Sequence, residues 1–214
     1  MAQEQLIRSP RPFSGPALKH TRQYAFFSLQ QDTNAYLLRL QSQDGTNRLT
    51  RECIAALHHA LGEIAEHPAP LVITGNEHFF SAGAELAQIS ALDAASAYEF
   101  SRCGQALMQA VEQFSAPVYA AVSGYCMGGG LDLALACRER IAAPNAVFGH
   151  RGAALGLITG WGGTQRLPRL VGKSIALEMF VEAEKISARR ALAIGLVDAV
   201  VDDPVSETLR RLQK

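Results

Sequence analysis

The chain has 214 residues, of which 48% are hydrophobic and 19% are charged, a composition typical of one soluble globular domain. Its 20 Lys and Arg residues balance 20 Asp and Glu residues, which argues against nucleic acid or a charged membrane surface as a partner. The four cysteines have no paired spacing, no apolar run is long enough to cross a membrane, and the first residues lack a signal-peptide core. We therefore expect a cytoplasmic protein with no membrane partner.

The beginning of the chain is predicted to lack regular structure. Residues 1–22 contain Pro, Gly and basic residues without periodicity, so we predict an irregular N-terminal arm. We expect the core domain over residues 23–202 and a short C-terminal helix over 203–214. Within the core, alternating apolar residues predict strands at Tyr24–Gln31 and Ala35–Gln41.

Helices and strands alternate along the rest of the chain. Thr50 can cap a helix that runs to about Glu66, because apolar residues recur there at helical spacing. A short apolar strand follows at residues 71–74, and a helix is expected from about Asp93 to Phe114. The further predicted elements are a strand at 117–123, a helix from Leu131, strands at Arg140–Ala143 and Ala146–Phe148, and helices at Lys173–Glu182 and Ser187–Ile194. Apolar strands separated by helices predict an α/β fold with a covered sheet.

The most informative segment is the glycine turn Gly128–Gly130, between the strand at 117–123 and the helix from Leu131. The first N–H groups of a helix have no partner within it, and the helix dipole adds positive charge at that end. Because glycines have no Cβ, a ligand can approach this backbone closely, so the turn predicts a site for a phosphate or an oxyanion. The alternative is a turn whose glycines only allow sharp geometry.

A second loop of the same kind lies upstream. The apolar strand at 71–74 leads into the small-residue loop Phe80-Ser-Ala-Gly-Ala-Glu85. This loop has the pattern of a strand end that opens toward a helix, whose first N–H groups lack partners. We therefore expect a second free N–H group at Ala82.

Four segments, in this order along the chain, resemble segments of the enoyl-CoA hydratase/isomerase (crotonase) family: Phe80–Glu85, Ala121–Leu133, Gly160–Gly172 and Ile186–Asp198. The similarity covers roughly residues 24–202. It implies an α/β fold in the form of a crotonase-like spiral of β-β-α units. Because members of the family carry several more C-terminal helices, the resemblance also implies a truncated C-terminal helical region.

The resemblance assigns roles to particular residues. The N–H groups of Ala82 and Gly129 would form an oxyanion hole for the thioester carbonyl of an acyl-CoA substrate. The loop residues Ser81, Ala82, Ala84 and Glu85 would lie against the CoA portion. The coenzyme A thioester would then be the substrate, and we expect no permanently bound cofactor. We also expect no metal site, because no Cys/His cluster has the spacing of metal ligands.

The acid–base positions depart from the family pattern. Hydratases of the family use two glutamates, and Asp132 occupies the first of these positions. An acidic residue in a first helical turn can alternatively serve only to favour the helix dipole. The second position aligns with Gly152, so the second carboxylate is missing. Because hydration needs one group to activate water and another to deliver a proton, the sequence favours isomerisation by a single carboxylate.

His150 is the candidate replacement for the missing carboxylate. If residues 147–152 are extended, His150 and Gly152 face the same side, and an imidazole titrates near neutral pH. The alternative for His150 is a structural hydrogen-bonding role. Trp161 also has two interpretations, the wall of an acyl pocket or a contact in the core or between subunits.

Two classes of function remain open from the sequence. The first is an acyl-CoA enzyme of the hydratase/isomerase type with Asp132 as the proton-transfer group, or a thioester hydrolase or decarboxylase on the same oxyanion hole. The second is a catalytically weak acyl-CoA-binding homologue. The resemblance further implies a homotrimer or hexamer, and the cluster of apolar residues between Ile175 and Val181 is expected to be covered by a partner subunit.

Overall fold

A computed structural model of the protein describes residues 20–212, except residue 33. The strands are β1 (His20–Gln23), β2 (Phe27–Gln31), β3 (Tyr36–Leu40), β4 (Arg48–Leu49), β5 (Leu71–Thr74), β6 (Phe79–Ser81), β7 (Gly83–Ala84), β8 (Val118–Val122), β9 (Tyr125–Met127), β10 (Glu139–Ala142), β11 (Val147–Gly149), β12 (Ile186–Ser187) and β13 (Ala199–Val200). The helices are α1 (Arg51–Ile64), α2 (Leu86–Ser90), α3 (Ala94–Glu112), α4 (Gly129–Ala136), α5 (Gly163–Val171), α6 (Lys173–Glu182), α7 (Ala188–Ala193) and α8 (Pro204–Arg211), with a 3₁₀ turn at Ala153–Leu155.

The strands form two main sheets. The larger sheet has the order β1-β2-β3-β5-β8-β10-β13, antiparallel from β1 to β3 and parallel from β3 onward. The smaller sheet has the order β12-β11-β9-β6, in which β6, β9 and β11 are parallel. A short parallel pair joins β4 to β7. The parallel order in both sheets requires the chain to cross over between neighbouring strands.

Successive strand pairs alternate between the two sheets. β5, β8 and β10 lie side by side in the larger sheet, and the strands that follow them, β6, β9 and β11, lie side by side in the smaller one. After β6 and β9 the chain continues into helices, so each turn of the chain is a β-β-α unit stacked on the one before. This arrangement is the predicted spiral of β-β-α units.

Local signals explain the two longest helices. Thr50 caps α1 as predicted: its hydroxyl accepts a hydrogen bond from the N–H of Cys53 at 3.1 Å. Asp93 caps α3, also at the predicted position. On α3, Phe100 is buried while Tyr98 is 61% exposed. The cause is tertiary: α3 packs on α1 and α4, and Phe100 faces them.

Strand β9 and helix α5 were not predicted. The sequence predicts no strand for residues 125–127, but they pair with both β6 and β11. A three-residue strand of this kind is defined by its partners rather than by its own sequence. In α5, Pro168 lies inside the helix and glycines precede it, so the segment carries signals of a loop.

The C-terminal end of the described chain agrees with the sequence prediction, whereas the N-terminal end contains a strand that was not predicted. Of the arm predicted over 1–22, residues 1–19 lie outside the described residues, and the remainder belongs to β1, which pairs with β2. The predicted C-terminal helix is present as α8. Its Val205 packs on the outer face of the larger sheet, against Val72 and Ala121. Over residues 20–212 without residue 33, none of the helices has the length and apolar character that a membrane span requires.

Candidate active site

The start of α4 presents free backbone donors, as the glycine turn predicts. Gly128, with φ of 51°, precedes the helix, and its N–H donates to the carbonyl of Gly149 at 2.9 Å. The helix itself supplies no acceptor for the N–H groups of its first turn, which begins at Gly129. Every residue of α4 is buried, so these donors lie in a region of low dielectric constant. Such donors stabilise negative charge more strongly than donors in water do.

The upstream loop packs directly against this helix start. A Cβ on Gly83 would lie 2.6 Å from the carbonyl oxygen of Met127 and 3.0 Å from the nitrogen of Gly129. Gly83 also has φ of 92°, which other residues rarely adopt. Glycine at position 83 is therefore required by both the backbone conformation and the close approach. As the sequence indicates, the two small-residue loops come together at one place.

Two of the residues predicted in this loop have structural roles instead. The N–H of Ala82 is not free, because it donates to the carbonyl of Thr46 at 2.9 Å. The expected role of Ala82 as an oxyanion donor therefore has no support from this geometry. Ser81 is fully buried, and its hydroxyl donates to the carbonyl of Asn47 at 2.7 Å, so it cannot contact CoA directly. Both bonds fix the loop to the segment before α1.

The loop residues differ in whether they reach the cavity described below. Ala82 and Ala84 line it, together with Gly129, whereas Ser81 and Glu85 do not. Glu85 caps α2, since its carboxylate accepts a hydrogen bond from the N–H of Ala87 at 3.3 Å, and it lies 3.6 Å from the guanidinium of Arg48. A role for Glu85 at the CoA portion stays a prediction.

Asp132 and His150 meet in the interior. Asp132 is in the first turn of α4 and His150 follows β11, and their side chains are only 1% and 4% exposed. The Nε2 atom of His150 is 3.4 Å from Oδ1 of Asp132. Neither atom has a hydrogen-bond partner among the described residues. Two buried polar atoms without partners are costly unless a ligand or water uses them, so the pair is a candidate reaction centre.

Thr159 completes the group. Its hydroxyl donates a hydrogen bond to Oδ2 of Asp132, the carboxylate oxygen that does not face His150. Gly163 makes room for all three side chains, because a Cβ there would collide with Oδ1 of Asp132 and lie 3.0 Å from Nε2 of His150. Thr159 is thus a functional candidate that the sequence analysis missed. No local pattern marks it, and only the tertiary contact with Asp132 reveals it.

Burial shifts the pKa values of the pair in opposite directions. Desolvation raises the pKa of Asp132 to about 7, although the Thr159 hydroxyl and the Arg166 charge offset part of the effect. Desolvation lowers the pKa of His150 to about 4. At neutral pH His150 is therefore uncharged, and the carboxyl group of Asp132 is near its midpoint. A carboxyl group with that pKa can both accept and donate a proton.

The position of the missing second carboxylate has no room for a side chain. Gly152 is not extended, since β11 ends at Gly149 and Gly152 has φ of −58°. A Cβ on Gly152 would lie 2.6 Å from the carbonyl oxygen of Leu157, whose N–H donates to the carbonyl of Gly152 at 2.8 Å. The condition under which His150 and Gly152 would face the same side, an extended chain over residues 147–152, is therefore not met. His150 nevertheless points inward.

These groups lie on the wall of one cavity with a volume of about 540 Å³, which we call the acyl cavity. Its polar lining includes the backbone of Gly129 and the residues Asp132, His150, Arg151, Thr159 and Lys185. The rest of the wall is largely apolar and includes Leu86, Ile89, Leu92, Phe100, Ile158 and Trp161. Cavities of this size and character bind small organic ligands. Across residues 20–212 apart from residue 33, no three His, Cys, Asp or Glu side chains are grouped in a way that could hold a metal ion.

Comparisons with known proteins agree with this fold. The sequence profile described as enoyl-CoA hydratase/isomerase matches residues 31–214. The chain is 39% identical over 181 residues to a crotonyl-CoA hydratase of Syntrophomonas wolfei subsp. wolfei, covering 83% of this chain and 70% of that protein. It is 34% identical over 177 residues to a short-chain-enoyl-CoA hydratase of Clostridium acetobutylicum, covering 81% of this chain and 68% of that protein.

Solved structures show the same similarity. Pseudomonas aeruginosa DspI superposes with a TM-score of 0.85 at 34% identity, covering 90% of this chain and 75% of that one. An enoyl-CoA hydratase from Bacillus anthracis superposes with a TM-score of 0.83 at 33% identity, covering 87% of this chain and 75% of that one. The chain therefore has the crotonase fold and belongs to the enoyl-CoA hydratase/isomerase family of enzymes.

Proposed function

We propose that the protein adds water to the double bond of an enoyl-CoA thioester, with Asp132 and His150 as its acid–base pair. The observation that carries this proposal is the pair of partnerless buried atoms, Oδ1 of Asp132 and Nε2 of His150, 3.4 Å apart on the wall of the acyl cavity. Two such atoms can bind one water molecule between them. The names of the two curated relatives, both hydratases, support the same reaction.

The chemistry needs an electron sink and a proton relay. The N–H of Gly129 would hold the thioester carbonyl oxygen and stabilise the enolate that forms when water attacks. Ala84, on the facing loop, is the candidate position for a second donor, since Ala82 is already hydrogen-bonded. The ionised Asp132 takes a proton from the water as its oxygen bonds to C3, and the Asp132–His150 pair then delivers a proton to C2. This relay uses His150 where the family pattern has a second glutamate.

Isomerisation is the second candidate, and one observation favours it. Oδ2 of Asp132 accepts a hydrogen bond from Thr159, so this carboxylate has one oxygen without a hydrogen-bond partner among the described residues, Oδ1, which lies 3.4 Å from Nε2 of His150. One free oxygen is enough to remove a proton from C2 and return it at C4 of the same acyl chain. Isomerisation conserves mass, whereas hydration adds one water, so product mass distinguishes the two reactions.

The test is a set of matched variants with crotonyl-CoA and a trans-3-enoyl-CoA as substrates. We expect the wild type to form the hydrated product, and Asp132→Asn and His150→Gln each to lose at least about a hundredfold in kcat/KM. Acyl-CoA binding should change little in both variants. His78→Gln is the control, because His78 is highly exposed. A folded wild type that binds acyl-CoA without converting either substrate would instead be a weak binding homologue.

We also propose that the chain assembles into a homotrimer or hexamer through α6. Met179 is buried within the chain, contrary to the expectation for the whole apolar cluster, but Leu177 and Val181 are 63% and 65% exposed. Exposed apolar side chains on one helix are commonly covered by a partner. Light scattering coupled to size exclusion measures the mass directly, and the mass of a single chain at micromolar concentration would contradict the proposal.

A further inference from the structure

Trp161 stands between two cavities. Its side chain is 4% exposed and lines the acyl cavity. It also lines a second cavity of about 410 Å³, whose wall is mainly polar and includes Gln105, Glu112, Thr164, Gln165, Arg166 and Arg169. Among the described residues, only Trp161 and its neighbour Gly160 belong to both walls. Trp161 therefore lies where an apolar cavity and a polar cavity adjoin.

Two glycines on different helices form the slot that holds the indole. A Cβ on Gly104 of α3 would collide with the five-membered ring of the indole, and a Cβ on Gly129 of α4 would collide with its six-membered ring. The ring of Phe100 meets the indole edge-on at 5.3 Å between centroids. Since the interior is close-packed, these contacts leave the indole little freedom to move aside for a ligand.

The residues of α3 trace the same boundary. Ala97, Phe100 and Ser101 line the acyl cavity, whereas Gln105, one position beyond Gly104, lines the polar cavity. The side-chain amide of Gln105 donates to the carbonyl of Gly160 at 2.8 Å, which fixes the backbone next to Trp161. Contacts with α3 therefore fix both the indole of Trp161 and the backbone next to it.

We propose that Trp161 closes the far end of the acyl cavity and thereby limits the enzyme to short acyl chains. The proposal rests on the proposed function, because the indole contacts Gly129, whose N–H would hold the thioester carbonyl. An acyl chain that starts at Gly129 meets the indole within a few carbon atoms. Removal of the indole leaves a space bordered by Phe100, Gly104 and Gly129, which suits further methylene groups.

The test compares trans-2-enoyl-CoA substrates with four, six and eight acyl carbons. The wild type should favour four carbons. In Trp161→Leu the ratio of kcat/KM for eight carbons to that for four should rise at least about tenfold, because each newly accommodated methylene contributes about fourfold. Trp161→Phe should stay close to the wild type. If Trp161→Leu does not fold, the same ratio is measured in Trp161→Met, whose flexible side chain fills gaps in a core.

Tyr98→Leu is the matched control, because Tyr98 is an exposed aromatic residue on the same helix as Gly104. Its substrate ratio should equal that of the wild type. The binding of butyryl-CoA and octanoyl-CoA, measured by calorimetry, gives the same comparison without turnover, so it still decides the proposal if no enoyl-CoA is converted. Unchanged ratios of both kcat/KM and affinity in a folded Trp161 variant would overturn the proposal.

Discussion

Replacing Asp132 with Asn should make the protein more stable at alkaline pH while it removes activity. Asp132 is 1% exposed, and desolvation raises its pKa from the ordinary 3.8 to about 7. The fold therefore holds this carboxyl group more favourably when it is protonated than when it is ionised. An amide has nearly the same shape and no charge, so Asp132→Asn avoids the cost of a buried negative charge.

The size of the effect follows from the pKa values of the pair. A folded pKa above the unfolded value means that the contribution of Asp132 to stability is fully present below pH 3.8 and is lost as the pH rises through 7. The loss is roughly 4 kcal/mol. His150 has the opposite sign: its pKa falls from 6.5 to about 4, so its contribution, roughly 3 kcal/mol, is present above pH 6.5 and is lost as the pH falls through 4. In the wild type the pH dependences that Asp132 and His150 give to the free energy of unfolding therefore largely cancel between pH 4 and 7.

Urea denaturation of the wild type and Asp132→Asn at pH 4.5, 6 and 8 measures the difference. The variant should gain stability relative to the wild type as the pH rises, by up to about 4 kcal/mol. The wild-type kcat/KM should rise over the same range with a midpoint near pH 7, since the ionised carboxylate is the base in the proposed reaction. Asp202→Asn, at an exposed carboxylate, is the control and should follow the wild type. A stability difference that does not change with pH would refute this reasoning.

Three further substitutions test single contacts. Thr159→Val removes the hydroxyl that lowers the pKa of Asp132, so the midpoint of the pH–rate profile should move to higher pH, and an unchanged midpoint would contradict this role. Gly152→Glu should lower the free energy of unfolding by about 1–3 kcal/mol, because its Cβ would lie 2.6 Å from the carbonyl oxygen of Leu157. The new carboxylate should therefore not act as a second catalytic group, and a rise in the hydration rate would contradict this geometry. Thr50→Ala should cost about 1 kcal/mol, measured by urea denaturation, through loss of the α1 cap, and an unaffected midpoint would show that the cap is unimportant.

Features that depend on near neighbours were predictable from the sequence. The cap at Thr50, the strand at 71–74 and the glycine turn before α4 are each set by a few adjacent residues, and the structure places all three as expected. The resemblance of four ordered segments to one family predicted the β-β-α spiral and made Asp132 a candidate site residue. Because these signals lie in adjacent residues or in ordered motifs, they can be recognised without knowing how the helices and strands pack.

The composition of the site was decided by tertiary structure. Thr159 is 27 positions from the Asp132 that it binds, and His150 approaches Asp132 from the smaller sheet. Whether the N–H of Ala82 is free depended on a partner 36 positions earlier in the chain, Thr46. Contacts of this kind arise only when separate helices and strands pack together. The sequence by itself determined the candidate site residues at the start of α4, Gly129 and Asp132. The partners of Asp132, its burial and hence its pKa were set by the packing around it.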